Sequence, residues 1–258
     1  MTGRPDASFL RTLADAADGE TLPRFRAGGQ VDNKLAAAFD PVTEADRAAE
    51  EAIVAAIAAR FPDHAILGEE YGASGTSDQL WVIDPIDGTR AFISGLPVWG
   101  TLIGYCEAER ARLGIMSQPF TGERYLADGE NAWLERAGER SRLAVRGTRS
   151  IEAATVFTTS PRLFSGGLLQ RFETLEARAR LTRFGTDCYA FAMLAAGHVD
   201  LVVESGLKPY DIVALIPIIE QAGGIITTLS GGRAEQGGDV VAAATAELHA
   251  AALELLAG

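Results

Sequence analysis

The chain is short of the residues that build covalent or zinc-based frameworks. It holds 2 cysteines and 3 histidines among 258 residues. Cys106 and Cys188 fall in unrelated elements, so buried free thiols are expected rather than a disulfide. His64, His198 and His249 do not pair at zinc-ligand spacing, which argues against a zinc centre. No run approaches the roughly 20 apolar residues that a bilayer span needs. Arg4, Asp6, Arg11, Asp15 and Asp18 interrupt the first twenty residues, against the apolar centre of a signal peptide. A cytoplasmic protein with no membrane partner is expected. Positive charge is scarce as well: 23 Lys and Arg face 35 Asp and Glu, a formal charge of −12. Such a chain is a poor binder of DNA or RNA. An anionic ligand fits it only if some of the acids carry divalent cations, each bringing two positive charges.

What is present is a sizeable apolar fraction, 47%, enough for one large domain or two closely joined halves. The chain is organised around Trp81-Val82-Ile83-Asp84-Pro85-Ile86-Asp87-Gly88-Thr89. Leu80 to Ile83 reads as a short buried strand, which Pro85 is expected to end. Gly88-Thr89 opens a short helix through Phe92 that Ser94-Gly95 ends. Two carboxylates thus stand between a strand exit and a helix N-terminus. Carboxylates bind hard cations, and helix N-termini bind phosphate. A strand, a turn and a helix cap would explain the stretch alone. However, Gly68-Glu69-Glu70 follows another apolar strand, Ala65 to Leu67, and Lys208-Pro209-Tyr210-Asp211 opens an apolar helix far downstream. Carboxylates at three element ends, from distant parts of the chain, suit a two-metal phosphatase.

The remaining chain reads as alternating elements. An amphipathic helix covers 7–18, with Gly19 as its stop. Thr43 caps a helix that runs to Arg60, with Asp46 at its third position. Ala73 to Asp78 reads as a Gly/Ser-rich surface loop. A hairpin joins Trp99–Glu107 to Ala111–Gln118, short strands follow near 124–127 and 132–135, and Gly138 to Arg142 is a polar turn. From about residue 150 the pattern is strand 155–158, helix 167–175, strand 180–184, helix 187–196 and strand 199–203 ending at Glu204. Asp211 opens a helix to Ala222, followed by strands 225–228 and 240–244 and a closing helix, 246–256. Two halves are expected: an α+β half, 1–149, and an α/β half, 150–258.

Asp40-Pro41-Val42-Thr43-Glu44-Ala45-Asp46, Gly68-Glu69-Glu70, Trp81 to Phe92 and Pro209 to Gly224 together resemble the inositol monophosphatase family of Mg²⁺-dependent phosphatases. Gly185-Thr186-Asp187-Cys188-Tyr189-Ala190 and Lys208-Pro209-Tyr210-Asp211 look like its histidinol-phosphate phosphatase branch. The resemblance implies an α/β fold, a layered α/β/α/β/α sandwich of the inositol monophosphatase and fructose bisphosphatase type, with the site between the halves. It implies two or three Mg²⁺ ions, with Mn²⁺ as an alternative. Glu69, Asp84, the Ile86 carbonyl and Thr89 would surround one ion, and Asp84, Asp87 and Asp211 another. Asp46, Thr89 and Glu69 would carry the catalytic roles. Gly88, Thr89, Gly185, Thr186, Asp187, Glu204 and Asp211 would bind phosphate and substrate. A homodimer acting on a small phosphate monoester is the family expectation.

Several residues keep two readings. Asp46 has a structural explanation in helix capping, and the resemblance, which includes Asp40, Pro41 and Thr43, favours a role in positioning the attacking water with Thr89. Asp187 is either the cap of its helix or a contact for a cationic leaving group. Lys34, Lys208 and Tyr210 are either near the site or in surface loops. Competing functions are an inositol or sugar-phosphate phosphatase of the same family, or an inactive metal- or phosphate-binding protein. A haloacid-dehalogenase type, with its Asp-x-Asp-Gly-Thr signature, is disfavoured, because Pro85 stands where that nucleophile would be.

Overall fold

The computed structural model describes residues 4–28, 31–33 and 41–257. The expectations for Lys34 and Asp40 lie outside the described residues. The chain opens with α1 (Ala7–Thr21), the paired strands β1 (Val31–Asn33) and β2 (Pro41–Thr43), and α2 (Glu44–Arg60). A first sheet contains β3 (Ala65–Gly68), β4 (Gly72–Ser74), β5 (Gln79–Asp87), β6 (Gly100–Glu107), β7 (Arg110–Gln118), β8 (Glu123–Ala127), β9 (Ala132–Arg136) and β10 (Glu139–Arg142). The short α3 (Thr89–Ile93) lies between β5 and β6. A second sheet contains β11 (Thr155–Thr158), β12 (Leu181–Phe184), β13 (Leu201–Leu207), β14 (Ile225–Thr228) and β15 (Gly238–Ala243). Its helices are α4 (Gly167–Arg178), α5 (Asp187–Ala195), α6 (Pro209–Ile212), α7 (Leu215–Gln221) and α8 (Ala246–Leu256).

Strand order is β10-β9-β8-β7-β6-β5-β3-β4 in the first sheet and β12-β11-β13-β15-β14 in the second. Apolar faces stack these elements into five layers. Phe9, Leu10 and Leu13 of α1, with Ile53 and Ile57 of α2, cover Trp81, Ile83, Ile103 and Ile115 on one face of the first sheet. Phe191 and Leu194 of α5, with Leu215 and Ile218 of α7, fill the space between Leu102 and Met116 of that sheet and Val202 and Val240 of the second. Phe172 and Leu175 of α4, with Leu248 and Leu256 of α8, close the far face over Leu201, Val203 and Val241. Along β13 the side chains alternate between layers, as the strand period of two requires. The α/β/α/β/α sandwich read from the sequence is the observed architecture.

Several boundaries differ from the sequence expectations for physical reasons. Helix α1 begins at an Asp6 cap and runs through Gly19 to Thr21, because Ala17 and Thr21 are buried on its packed face. Residues 72–74 and 139–142 form short edge strands where a loop and a polar turn were expected. The helix expected from Asp211 to Ala222 is two pieces, α6 and α7. Pro217 has no N–H for the carbonyl of Val213 four residues back, so the ladder breaks there.

Pro85 does not end its strand. β5 runs on to Asp87, but its partners shift: Asp84 faces Leu102, and Asp87 faces Gly100. Three steps on one strand match two on the other, so an extra residue is bulged out beside Pro85. A proline is tolerated there, where ladder bonds are already interrupted. In a regular strand, residues three apart point to opposite faces. The bulge removes that opposition and turns Asp84 and Asp87 toward one place. β13 repeats the device between Glu204 and Leu207, beyond the end expected for it.

Helices α6 and α7 reach the first sheet through a pair of glycines. Gly104 and Gly114 are cross-strand partners on β6 and β7. A Cβ on Gly114 would lie 2.0 Å from the carbonyl oxygen of Ala214, and one on Gly104 would lie 2.7 Å from Val213 Cγ1. The glycine dimple therefore lets the α6–α7 kink approach the sheet and bring Asp211 to β5. Gly114→Ala is expected to cost about 1–3 kcal/mol or more by overpacking. A urea melt checks this, as a lowered midpoint with an unchanged slope. An unaltered midpoint would show that the seam relaxes freely.

Candidate active site

The bulge of β5, the start of α3, the turn after β3, the end of β13 and the start of α6 converge on one cavity of about 350 Å³. Glu69, Asp84, Asp87, Asp187, Glu204 and Asp211 line it, and so do Ile86, Gly88 and Thr89. Lys208 and Tyr210, left open by the sequence, line it too. Gly185, Thr186 and Asp46 are not among its lining residues.

Each acid at the centre is held by a main-chain amide. Asp84 Oδ1 accepts from Ile86 N (3.0 Å), Asp87 Oδ2 from Cys188 N (2.7 Å), and Asp211 Oδ2 from Lys208 N (2.7 Å). Carboxylate oxygens of Asp84, Asp87 and Asp211 come within 4.8 Å of one another. Burial, then the negative charges of Glu69, Asp87 and Asp211, push the Asp84 carboxyl well above its ordinary range. Burial and the neighbouring Asp187 and Asp211 do the same to Asp87. Burial is also the main cause that raises Asp211 to about 6. Converging hard oxygen donors, one buried and two half-buried and repelling one another, fit a divalent cation of the Mg²⁺ or Ca²⁺ kind.

Thr89 starts α3, and its hydroxyl donates to the Ile86 carbonyl at 3.1 Å. Asp46 sits on the first turn of α2, where its Oδ2 accepts from Thr43 N (2.8 Å) and Thr43 Oγ1 (2.6 Å). The capping role read from the sequence is therefore present. Among the described residues no hydrogen bond joins Asp46 to Thr89, the pair expected to position the attacking water. Asp46 Oδ1 is buried with no hydrogen-bond partner among the described residues. Burial lifts this carboxyl to about 6, against the opposing hydrogen bonds from Thr43, and nearby Glu70 and Glu69 add to the rise.

The capping reading of Asp187 is corrected. Thr186 is the cap residue of α5, with no side-chain bond, and Asp187 is the first residue inside the helix. The first-turn amide of Cys188 is instead satisfied by Asp87, from the other sheet. Asp187 has φ of 42°, a left-handed conformation uncommon for a non-glycine residue. Its carboxyl packs against Gly88, where an added Cβ would meet Asp187 Cβ at 3.2 Å. Burial raises Asp187 to about 6, although Arg90 pulls it down. Glu204 accepts from Thr159 N at 2.6 Å, and burial raises it to about 8. Gly185, with φ of 76°, and Thr186 shape the turn into α5. Sequence reading missed Arg90 and Thr159; Arg90's place directly after Thr89 in the central motif was the available signal.

These shifts give the metal-free protein a defined pH response. A carboxyl whose folded pKa is raised contributes stability that is fully present below its ordinary value of 3.8 or 4.5. That share is lost as pH rises through the folded value, about 6 for Asp46, Asp187 and Asp211 and about 8 for Glu204. The melting temperature in chelator is expected to fall between pH 5 and pH 8. Mg²⁺ at pH 8 should restore it, by about 2.7 kcal/mol at a hundredfold excess over Kd. Asp84→Asn should raise the metal-free melting temperature at pH 8 and remove most of the Mg²⁺ increment. Scanning calorimetry of both proteins checks this, and an undiminished increment in the variant would refute the ligand assignment.

The sequence signature of the inositol monophosphatase family matches residues 4–257. The chain is 41% identical to the chloroplastic bifunctional phosphatase IMPL2 of Arabidopsis thaliana, over 97% of this chain and 74% of that protein. It is 36% identical to a histidinol-phosphatase of Streptomyces coelicolor, over 95% of this chain and 94% of that one. Among solved structures, an inositol monophosphatase from Zymomonas mobilis matches with a TM-score of 0.86 at 38% identity, covering 97% of this chain and 96% of that chain. The signature spans both sheets and every acid of the cavity, and on it the chain belongs to the inositol monophosphatase family.

Proposed function

We propose that the protein is a Mg²⁺-dependent phosphatase that hydrolyses L-histidinol phosphate to L-histidinol and phosphate. The observation that carries the substrate is the pair of acids beyond the cation cluster. Asp187 and Glu204 line the same cavity, and among the described residues Arg90 and Lys208 are the basic side chains that line it with them. Histidinol presents an ammonium and an imidazole, and the half-buried Asp187 beside the buried Glu204 suits such a leaving group. The similarity to a histidinol-phosphatase supports this reading.

Glu69, Asp84, Asp87, Asp211, Thr89 and the Ile86 carbonyl would hold two or three ions, Mg²⁺ or Mn²⁺. When bound, divalent cations supply charge neutralisation and an acidified water. Positioning and neutralisation are most of what phosphoryl transfer needs from a protein. Gly88 and Thr89 would hold the phosphate through main-chain amides. Thr89 and Asp46 would orient the attacking water and take its proton, with Asp46 Oδ1 as the atom left for that task. A new bond forms from water oxygen to phosphorus, the bond to the histidinol oxygen breaks, and that oxygen gains a proton. A homodimer and a cytoplasmic setting accompany this reading.

A second reading, inositol 1-phosphate or a sugar phosphate, draws on the likeness to the Zymomonas mobilis enzyme and on Glu204, which could bind a hydroxyl. The two are separated by kcat/KM for L-histidinol phosphate and inositol 1-phosphate with Mg²⁺. A preference of about a hundredfold for histidinol phosphate, about 2.7 kcal/mol, is expected. Asp187→Asn keeps a residue that tolerates the left-handed conformation and removes only the charge. Hydrogen bonds to charged groups contribute about 1.5–3 kcal/mol. The variant should therefore lose about tenfold or more on histidinol phosphate beyond its loss on inositol 1-phosphate. Equal losses on the two substrates would remove Asp187 from leaving-group recognition.

A further inference from the structure

Helix α2 carries two buried carboxylates one turn apart, Asp46 and Glu50, each 1% exposed. The first accepts from its own cap residue, Thr43. The second does something the mechanism above does not use. Glu50 Oε2 accepts from Glu70 N at 2.9 Å, and Glu50 Oε1 accepts from Tyr71 N at 3.1 Å. These two amides directly follow Glu69. On the other side of the turn, Glu69 N donates to the Ile83 carbonyl at 3.1 Å. The main chain that presents Glu69 is therefore clamped between β5 and a carboxylate of α2.

Gly68 shows how close this clamp is. A Cβ there would lie 1.8 Å from Glu50 Oε1 and 2.4 Å from its Cδ. The carboxylate occupies the space that any side chain at position 68 would need. A buried acid beside Glu69 and Glu70 is electrostatically unfavourable, and an apolar residue would fill the same volume without that cost. An ionised carboxylate, with two acceptor oxygens and no donor, gives each of the two successive amides its own oxygen.

We propose that Glu50 is a positioning residue of the cation site: through the amides of Glu70 and Tyr71 it fixes the carboxylate of Glu69 beside Asp84. The inference rests on the reading of Glu69 as a cation ligand. Glutamine at position 50 keeps the volume but offers one acceptor, so one amide of the turn meets an NH₂ group. Partners that orient metal ligands are typically worth 10–100-fold in metal affinity.

The test is Mg²⁺ titration calorimetry on Glu50→Gln, Glu51→Gln, Glu69→Gln, Asp84→Asn and the double variant Glu50→Gln/Glu69→Gln, with melting temperatures measured in chelator. Glu51 lies on the same helix, is exposed, and bonds the Tyr71 hydroxyl rather than an amide. Its variant removes the same charge and should bind Mg²⁺ as the unaltered protein does. Glu50→Gln should weaken Mg²⁺ binding by about 10–100-fold. In the Glu69→Gln background it should add little, because its effect passes through Glu69. Its kcat should return toward the unaltered value at saturating Mg²⁺. If Glu50→Gln does not fold, Gly68→Ala displaces the same carboxylate and should give the same loss. Unchanged Mg²⁺ affinity in Glu50→Gln, with Asp84→Asn impaired, would overturn the proposal. So would an equal loss with and without Glu69. Unchanged affinity in both Glu69→Gln and Asp84→Asn would instead overturn the cation-site reading itself.

Discussion

Negative charge crowded into one partly buried cavity is the constraint on which the rest of the structure depends. Six carboxylates, Glu69, Asp84, Asp87, Asp187, Glu204 and Asp211, line one cavity. Two unit charges 4 Å apart repel by about 4 kcal/mol at an effective dielectric of about 20. A whole domain is stable by only about 5–15 kcal/mol. Several such pairs cannot stand unless protons, cations or main-chain dipoles offset them. The fold supplies the dipoles: Ile86, Cys188, Lys208 and Thr159 each turn an N–H to one oxygen of an acid. For Asp84, Asp87 and Asp211, the oxygens approach one another closely enough to share a cation.

That arrangement explains features of the architecture that packing alone does not require. A strand period of two would set Asp84 and Asp87 on opposite faces, and the bulge at Pro85 brings them round. Asp211 belongs to the middle helical layer and could not reach β5 if Gly104 and Gly114 carried side chains. The broken helix α6–α7 places Asp211 at a first turn, where Lys208 N can hold it. Irregularity in this fold is concentrated where the acids meet, and the layers around it are regular.

The layers and most acids of the cavity were legible in the sequence because their signals are local. Alternating apolar strands, the Thr43 cap and the Gly88-Thr89 start of a helix each depend on residues within a few positions. The Asp-Pro-Ile-Asp-Gly-Thr stretch is likewise contiguous. What escaped the sequence depends on partners far along the chain. Asp187 looks like a helix cap until its amide neighbour is seen to bond Asp87, about a hundred residues away. Nothing local singles out Gly104 and Gly114 until the α6–α7 kink is placed on them. No local pattern singles out Glu50, and only the turn after β3 reveals what it holds. The strand end expected at Pro85 failed differently: a local rule about proline was correct, but a bulge is one of the places that rule permits.

Asp87 has a place in both sheets' affairs. One of its oxygens takes the first-turn amide of α5, and its carboxylate also belongs to the acidic cluster that could hold a cation. Losing the cation would leave the first duty intact. A lineage in which catalysis decays would therefore still be held to an acid at this position by the helix it anchors. The central motif is for that reason a poor guide to activity in a degenerate copy of this fold. Asp84 and Asp211, whose amide partners lie two and three residues away, are the positions where such decay would first be written.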